Sequence, residues 1–388
     1  MRQIVSVALV AAALAAAPVA DAQPPSEREL RGLWITRWDF ISPGDLDRLL
    51  RRAADAGFTA IFLQVRGRAD ALYRSRLEPW AEELSGTLGQ DPGWDPLQLA
   101  LDVGEELGLE IHAWMNIVPV WRGAAPPPET TPRHVYLSHP EWLMVDAQGQ
   151  RMPPDRVKYV CLSPGIPAAR DHVLAVIEDL LDHYPVDGVH LDYIRYYGRD
   201  FSHDPVSERR YAAALARTPG LRFGQWQRDQ ITELVRRAYA LVQRYPDVQL
   251  TAAVWHNNRM PVRGSSGFRD YYQDSHAMTF EGVVDAILPM NYLRMDSRDA
   301  PFDERADDHV ANAFGRKVYM GIHALGRITD PDPSGARMLE NIAYARRVGA
   351  DGVAIFASTF LDRYQLWDEL RDGPFARPLQ ETRPRSGD

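Results

Sequence analysis

Eight short runs rich in β-branched, aliphatic and aromatic residues recur along the chain with amphipathic helical patterns between them, and this alternation limits the fold more than any other feature of the sequence. The strands are predicted at Leu33–Arg37, Thr59–Arg66, Glu110–Ile117, Gly188–Tyr193, Gln249–His256, Ala286–Tyr292, Lys317–His323 and Gly352–Ser358. Helices are predicted at Gly44–Ala56, Pro96–Leu107, Ala168–His183, Gln225–Arg244, Asp303–Phe314, Gly335–Val348 and Arg363–Arg371. Strand–helix units repeated in this way imply a single (β/α)8 barrel, whose usual length is ~250 residues before insertions.

Loop lengths agree with that reading, because a barrel of this kind elaborates the loops after its strands and keeps the returns short. The returns Gly57-Phe58, Gly108-Leu109, Tyr184 to Asp187, Tyr245 to Val248 and Gly349 to Asp351 are tight. Segments 67–95, 118–167, 194–224 and 257–284, after the second to fifth strands, are long and carry Trp80, Trp94, Trp121, Trp142, Tyr196, Tyr197, Tyr271 and Tyr272. One face is therefore elaborated, with a composition suited to stacking on flat apolar faces.

Of the 388 residues, 45% are hydrophobic and 25% charged, enough for a full core. Lys+Arg 44 against Asp+Glu 53 gives −9, and no basic run exceeds Arg51-Arg52 or Arg236-Arg237. Nucleic acid is not an expected partner. Residues 1–22 combine Arg2, an apolar run from Ile4 to Ala17 and the small-residue end Ala20-Asp21-Ala22, the pattern of a secretory signal peptide. The run is shorter than a membrane span needs. The mature chain is thus expected to be exported, periplasmic or secreted, with a Pro-rich lead over 23–30, the barrel over 31–371 and a disordered tail over 372–388. Cys161 is the lone cysteine, flanked by Val160 and Leu162, and reads as a small core residue.

Position along the strands sorts the carboxylates. Val186-Asp187-Gly188-Val189, Val284-Asp285-Ala286-Ile287 and Ala350-Asp351-Gly352-Val353 place an acid where the chain enters a strand, on the bottom face, as structural punctuation. Asp192 lies five residues beyond Asp187, about 16 Å further at ~3.3 Å per residue, which brings it to the C-terminal mouth where barrel chemistry occurs. Strand alternation puts His190 and Asp192 in the lumen, with Tyr193 facing away. The same parity turns His112, Trp114 and Asn116 inward on the third strand, and Gln64 and Arg66 inward on the second. Each polar group left unpaired in a lumen costs ~1 to 3 kcal/mol, so these residues are expected to form one network. His112 and His190 join it as packed core histidines or as substrate contacts.

The stretches Gln64-Val65-Arg66, Ala69-Asp70-Ala71-Leu72-Tyr73, Leu77-Glu78-Pro79-Trp80, Gly93-Trp94-Asp95-Pro96-Leu97, His112-Ala113-Trp114-Met115-Asn116, His139-Pro140-Glu141-Trp142 and Asp187 to Tyr196 occur in this order. Together they resemble the family-10-like glycosyl hydrolases of bacteria over about Arg31 to Arg371. The resemblance implies a (β/α)8 barrel, an exported or envelope-associated protein, and a glycosidase. It includes members that cut peptidoglycan strands stripped of their stem peptides. A more distant similarity to family 18 chitinases is broken, because His190 and Ile194 replace acids of that family's Asp-Gly-x-Asp-x-Asp-x-Glu strand and Met290-Asn291-Tyr292-Leu293 lacks its final Asp.

Glycoside hydrolysis ordinarily uses two carboxyl groups. Asp192 is the candidate nucleophile, base or substrate-orienting carboxylate, and Glu78 and Asp70 rank level as the second catalytic group. Asp39 after the first strand and Glu141 are further acids. The remaining candidate substrate contacts are Asp39, Gln64, Arg66, His112, Trp114, Asn116, His190, Arg195, Trp255, Asn291, Tyr292 and His323. Arg66 and Arg195 would bind substrate acids or hold Asp192 ionised. Asn116, Asn291 and Tyr292 would hydrogen-bond an N-acetyl or ring hydroxyl group. In a substrate-assisted variant, the acetamido oxygen of the sugar replaces the protein nucleophile. No His-Glu-x-x-His pair, cysteine zinc site or Gly-rich nucleotide fingerprint occurs, so neither metal nor cofactor is expected. The expected partner is a glycan such as peptidoglycan, cleaved by an enzyme or held by a non-catalytic binding barrel.

Overall fold

The computed structural model describes residues 29–155, 158–260, 264–298, 301–325 and 334–376. The expected signal peptide at 1–22, most of the expected Pro-rich lead and the tail beyond 376 lie outside the described residues. The strands in chain order are β1 Leu30–Ile35, β2 Ala60–Arg66, β3 Glu110–Asn116, β4 Pro119–Trp121, β5 Val160–Cys161, β6 Gly188–Asp192, β7 Gln249–Trp255, β8 Ala286–Met290, β9 Lys317–His323 and β10 Gly352–Phe356. Eight of them close a barrel in the order β1-β2-β3-β6-β7-β8-β9-β10, with every neighbouring pair parallel. The expected (β/α)8 barrel is present. Strands β4 and β5 form a separate antiparallel pair that the sequence pattern did not signal. No described helix is long and apolar enough to cross a membrane.

Helix starts follow from local chemistry. Ser42, Asp95 and Asp204 cap the helices Pro43–Asp55, Pro96–Leu107 and Pro205–Arg217 by accepting backbone N–H bonds, and a proline opens each first turn. The helix Pro205–Arg217 lies within 194–224, a segment whose sequence predicts a long loop. The predicted last helix divides into Ser358–Tyr364 and Trp367–Arg371, because Gln365 takes a left-handed backbone with φ 55°. The boundaries 31 and 371 are both short of the barrel. Leu30 begins β1, and Phe375 is buried against Phe58 with its carbonyl accepting from Arg31 Nη1.

Two apolar layers divide the molecule. Leu33, Ile35, Ile61, Leu63, Ile111, Ala113, Met115, Val189 and Leu191 pack outward against the helices. Trp34, Phe62, Trp114, Leu288, Tyr319 and Ala354 fill the lumen. The three acids at the strand starts are structural as expected: Oδ2 of Asp187, Asp285 and Asp351 accepts the backbone N–H of Ile111, Leu250 and Val318 at 2.8, 2.7 and 2.9 Å. Each bonds the neighbouring strand at the bottom of the barrel, which fixes register there and leaves the opposite mouth for the site.

Candidate active site

At the C-terminal mouth lies a cleft of ≈ 330 Å³. Strand ends supply its floor, with Trp34, Gln64, Trp114, Asn116, Asp192, Ala253, Met290 and Phe356. The loops beyond supply its walls, with Thr36, Trp38, Arg122, Tyr159, Tyr193, Arg195, Tyr197 and Tyr292. Register puts Trp114 beside His190 and Asn116 beside Asp192, one level higher. The β4–β5 pair carries Arg122 and Tyr159, which follow Trp121 and precede Val160 at one end of it, to the cleft.

Asp192 is the one carboxylate that lines this cleft among the described residues. Its Oδ1 accepts the backbone N–H of Tyr193 at 2.6 Å and lies 3.5 Å from Arg195 Nη1, so both protein contacts fall on one oxygen. Burial raises the carboxyl above its ordinary pKa; Arg195, the Tyr193 N–H and the adjacent Trp114 indole offset this only in part. The Trp114 Nε1–H stands near the carboxylate without a hydrogen-bond partner of its own. Burial also raises the Tyr292 phenol well above its usual value, and the charge of Asp192 adds to that shift.

Six of the expected site residues meet in the cleft: Gln64, Trp114, Asn116, Asp192, Arg195 and Tyr292. Gln64 Oε1 accepts the Arg37 backbone N–H at 3.1 Å, and Asn116 Nδ2 donates to the Gly67 carbonyl at 3.0 Å. Tyr193 corrects the parity argument. The strand stops at Asp192, Tyr193 turns left-handed with φ 53°, and its ring enters the cleft instead of facing the helices.

The candidate second catalytic groups lie elsewhere. A bulge between Gln64 and Arg66 moves Arg66 into register with Met115, an outward position, so it does not enter the lumen as expected. There Arg66 grips Glu78 through both carboxylate oxygens, at 2.6 and 2.8 Å, and donates to the Asn116 and Ile117 carbonyls. Burial alone would raise the Glu78 carboxyl, but Arg66 and His172 overcome it and hold the pKa at about 2. Asp70, fully buried, accepts from the Arg68 backbone and guanidinium at 2.8 and 3.0 Å; Arg37 and Arg68 overcome burial and keep it ionised. Neither carboxylate faces the cleft or holds a proton to give, so Glu78 and Asp70 are architectural.

Asp39 sits beside the cleft, accepting from the Thr36 N–H at 2.8 Å and Ser358 Oγ at 2.6 Å, with its pKa raised by burial. His112 and His190 are lumen residues below the floor, and His112 Nε2 lies 3.2 Å from Glu110. Trp255 backs Arg195, whose guanidinium lies 5.4 Å from its ring. Asn291 donates to the Phe302 carbonyl, and buried His323 packs 5.9 Å from the Tyr292 ring. Cys161 is buried, and burial pushes its thiol far from ionisation. Sequence reasoning does not single out Trp34, Thr36, Trp38, Arg122, Tyr159, Ala253, Met290 or Phe356 as site residues. Strand parity applied to the first strand would have found Trp34, whereas Arg122 and Tyr159 follow an accessory sheet with no periodic signal.

Known proteins resemble this chain in sequence and in fold. At 26% identity over 359 residues, the chain is similar to glycosyl hydrolase DigH of Escherichia coli K12, covering 81% of this chain and 78% of that one. It is 30% identical over 330 residues to glycosyl hydrolase YngK of Bacillus subtilis, covering 78% of this chain and 61% of YngK. Among solved structures, the glycoside hydrolase domain of PgaB from Bordetella bronchiseptica superposes with a TM-score of 0.63 at 17% identity, over 89% of this chain and 98% of that one. The catalytic domain of a β-amylase from Paenibacillus polymyxa gives 0.60 at 12% identity, over 87% and 94%. These two share the barrel fold. Since the model of the glycosyl hydrolase-like 10 family matches residues 29–329, which span most of the strands and every floor residue but Phe356, the chain belongs to that family.

Proposed function

We propose that the protein is an exported glycoside hydrolase that cleaves an amino-sugar glycan, namely peptidoglycan strands freed of their peptides, with Asp192 as its reacting carboxyl group. The observation that carries this reading is the buried Asp192 carboxyl, with one oxygen tied to Tyr193 and Arg195, in a cleft of rings and amides at the barrel mouth. Family membership and the names of DigH and YngK support glycosidic chemistry. Trp34, Trp38 and Trp114 offer faces for sugar rings, while Asn116 and Tyr292 offer polar groups for an acetamido or hydroxyl substituent. Export rests on the leader pattern of residues 1–22.

A two-carboxylate mechanism needs a partner for Asp192, and no described residue lining the cleft supplies one. The acetamido oxygen of the substrate resolves this by attacking the anomeric carbon itself. Asp192, whose burial enlarges its protonated fraction, then passes a proton to the departing glycosidic oxygen, and in the second step it recovers one from the water that displaces the acetamido oxygen from the anomeric carbon. Glycan binding without cleavage is the second reading, and the lone carboxylate favours it. Mass spectrometry of soluble products from intact peptidoglycan, peptide-stripped peptidoglycan and chitin oligomers separates the two. Products from the stripped strand that vanish with Asp192→Asn support the hydrolase; retention on insoluble glycan without product supports the binder.

A further inference from the structure

Beneath the most exposed ring of the cleft lies a buried cation. Trp38 stands at the rim with 54% of its surface open, and the guanidinium of Arg37, itself buried, covers the ring from 4.4 Å. The backbone here is fixed without that guanidinium. The Trp38 N–H meets Thr36 Oγ1 at 3.4 Å, the Asp39 N–H bonds the Thr36 carbonyl at 3.0 Å, and Asp39 Oδ2 accepts from the Thr36 N–H at 2.8 Å and from Ser358 Oγ at 2.6 Å. Such a turn fixes no side-chain torsion of Trp38; that falls to the contact with Arg37.

The guanidinium is itself anchored on three sides. Its Nη2 donates to Tyr159 Oη at 3.2 Å, Nε faces Glu83 Oε1 at 3.0 Å, and Nη1 fills the space that a Cβ would take at Gly67. A guanidinium stacks on an indole through a flat face, which an ammonium lacks. A ring already held has less rotamer freedom to lose when a ligand stacks on it, so the holding contact adds to affinity. We infer that Arg37 is a positioning residue for glycan binding, which from beneath the rim holds Trp38 as a preset platform for a sugar ring. The inference rests on the glycan reading above and adds to it a residue outside the cleft lining.

The test follows the ring and the affinity separately. Arg37→Lys keeps the charge beside Glu83 and Asp70 but loses the flat face, whereas Gly67→Ala keeps Arg37 and displaces its guanidinium. With the ten tryptophans labelled as 5-fluorotryptophan, the fluorine resonance lost in Trp38→Phe belongs to Trp38, and both variants should shift and broaden it. Calorimetry with peptide-stripped glycan hexasaccharides follows binding in the Asp192→Asn chain, where cleavage is not expected. Arg37→Lys and Trp38→Ala should each weaken binding about tenfold, and the pair together also about tenfold, because the arginine acts through the ring. Losses that multiply to about a hundredfold, full affinity in Arg37→Lys, or an unmoved Trp38 resonance would each overturn the inference and spare the glycan reading. Absence of binding with Arg37 and Trp38 both intact would remove the glycan reading, and this inference with it.

Discussion

Trp34 donates its indole N–H to Nε2 of His190 at 3.2 Å, in the lumen directly below the cleft. An indole N–H only donates, so Nε2 is the acceptor and the proton of the neutral ring sits on Nδ1, facing Thr251 Oγ1 at 2.9 Å. Burial, reinforced by His112, lowers the His190 pKa well below its ordinary value. The imidazole thus sets the height and tilt of Trp34, part of the cleft floor.

His190→Leu is expected to leave the Trp34 N–H and the Thr251 hydroxyl unpaired and to cost about 1–3 kcal/mol in urea unfolding. The wild type carries a matching pH signature. Because the native pKa is depressed, the contribution of His190 is complete above about 6.5 and declines as pH falls below it, where the unfolded chain takes up the proton first. A His190→Leu protein as stable as wild type at pH 7 would show that the lumen bonds count for nothing.

The ion pair of Glu78 and Arg66 should behave as framework. Glu78→Gln leaves a buried guanidinium without its anion and should destabilise the fold by about 3–5 kcal/mol. The Glu78 pKa is depressed to about 2, so this contribution is present above the ordinary value near 4.5 and is lost as pH falls toward 2. Replacing both partners by methionine should recover much of the loss. Glycan cleavage per folded molecule decides the role: a stable Glu78→Gln protein without activity would restore Glu78 as a catalytic acid.

Gly188 begins the strand that ends in Asp192, and a Cβ there would overlap the His112 ring. Gly188→Ala should cost about 1–3 kcal/mol through overpacking, read as a lower melting temperature. His112→Ala in the same chain should return part of that loss by opening the space. An unchanged melting temperature for Gly188→Ala would mean that His112 is free to move aside.

Architecture was legible in the sequence where one physical rule governs many residues at once. Strand alternation placed His112, Trp114, Asn116, His190 and Asp192 on the lumen side, because side-chain period follows from backbone geometry alone. It failed at Arg66 and Tyr193, where a bulge and a left-handed residue change the phase, and neither Val65 nor Tyr193 announces such a change. The choice of Glu78 and Asp70 as acids failed for another reason. Their arginine partners, Arg66, Arg37 and Arg68, converge only after the loop folds, and pairing settles whether a carboxylate is reactive or architectural.

Asp192→Asn should move activity and stability in opposite directions. Burial raises the Asp192 pKa in the folded chain, so the group favours the fold below its ordinary value near 3.8 and loses that contribution as pH climbs through the raised native value. At neutral pH the fold bears the cost of a buried negative charge that Arg195 only partly offsets at 3.5 Å. Asparagine keeps the shape and removes the charge. Its melting temperature should exceed that of wild type at pH 7, and the difference should shrink toward pH 3, where the wild-type carboxyl is protonated in both states. Product release from stripped glycan should fall by about 10²- to 10⁴-fold, the usual contribution of a positioned acid–base group. Scanning calorimetry and product analysis on the same preparation test both halves. A variant less stable than wild type at neutral pH would mean that the Arg195 contact outweighs burial, and undiminished cleavage would remove Asp192 from the chemistry.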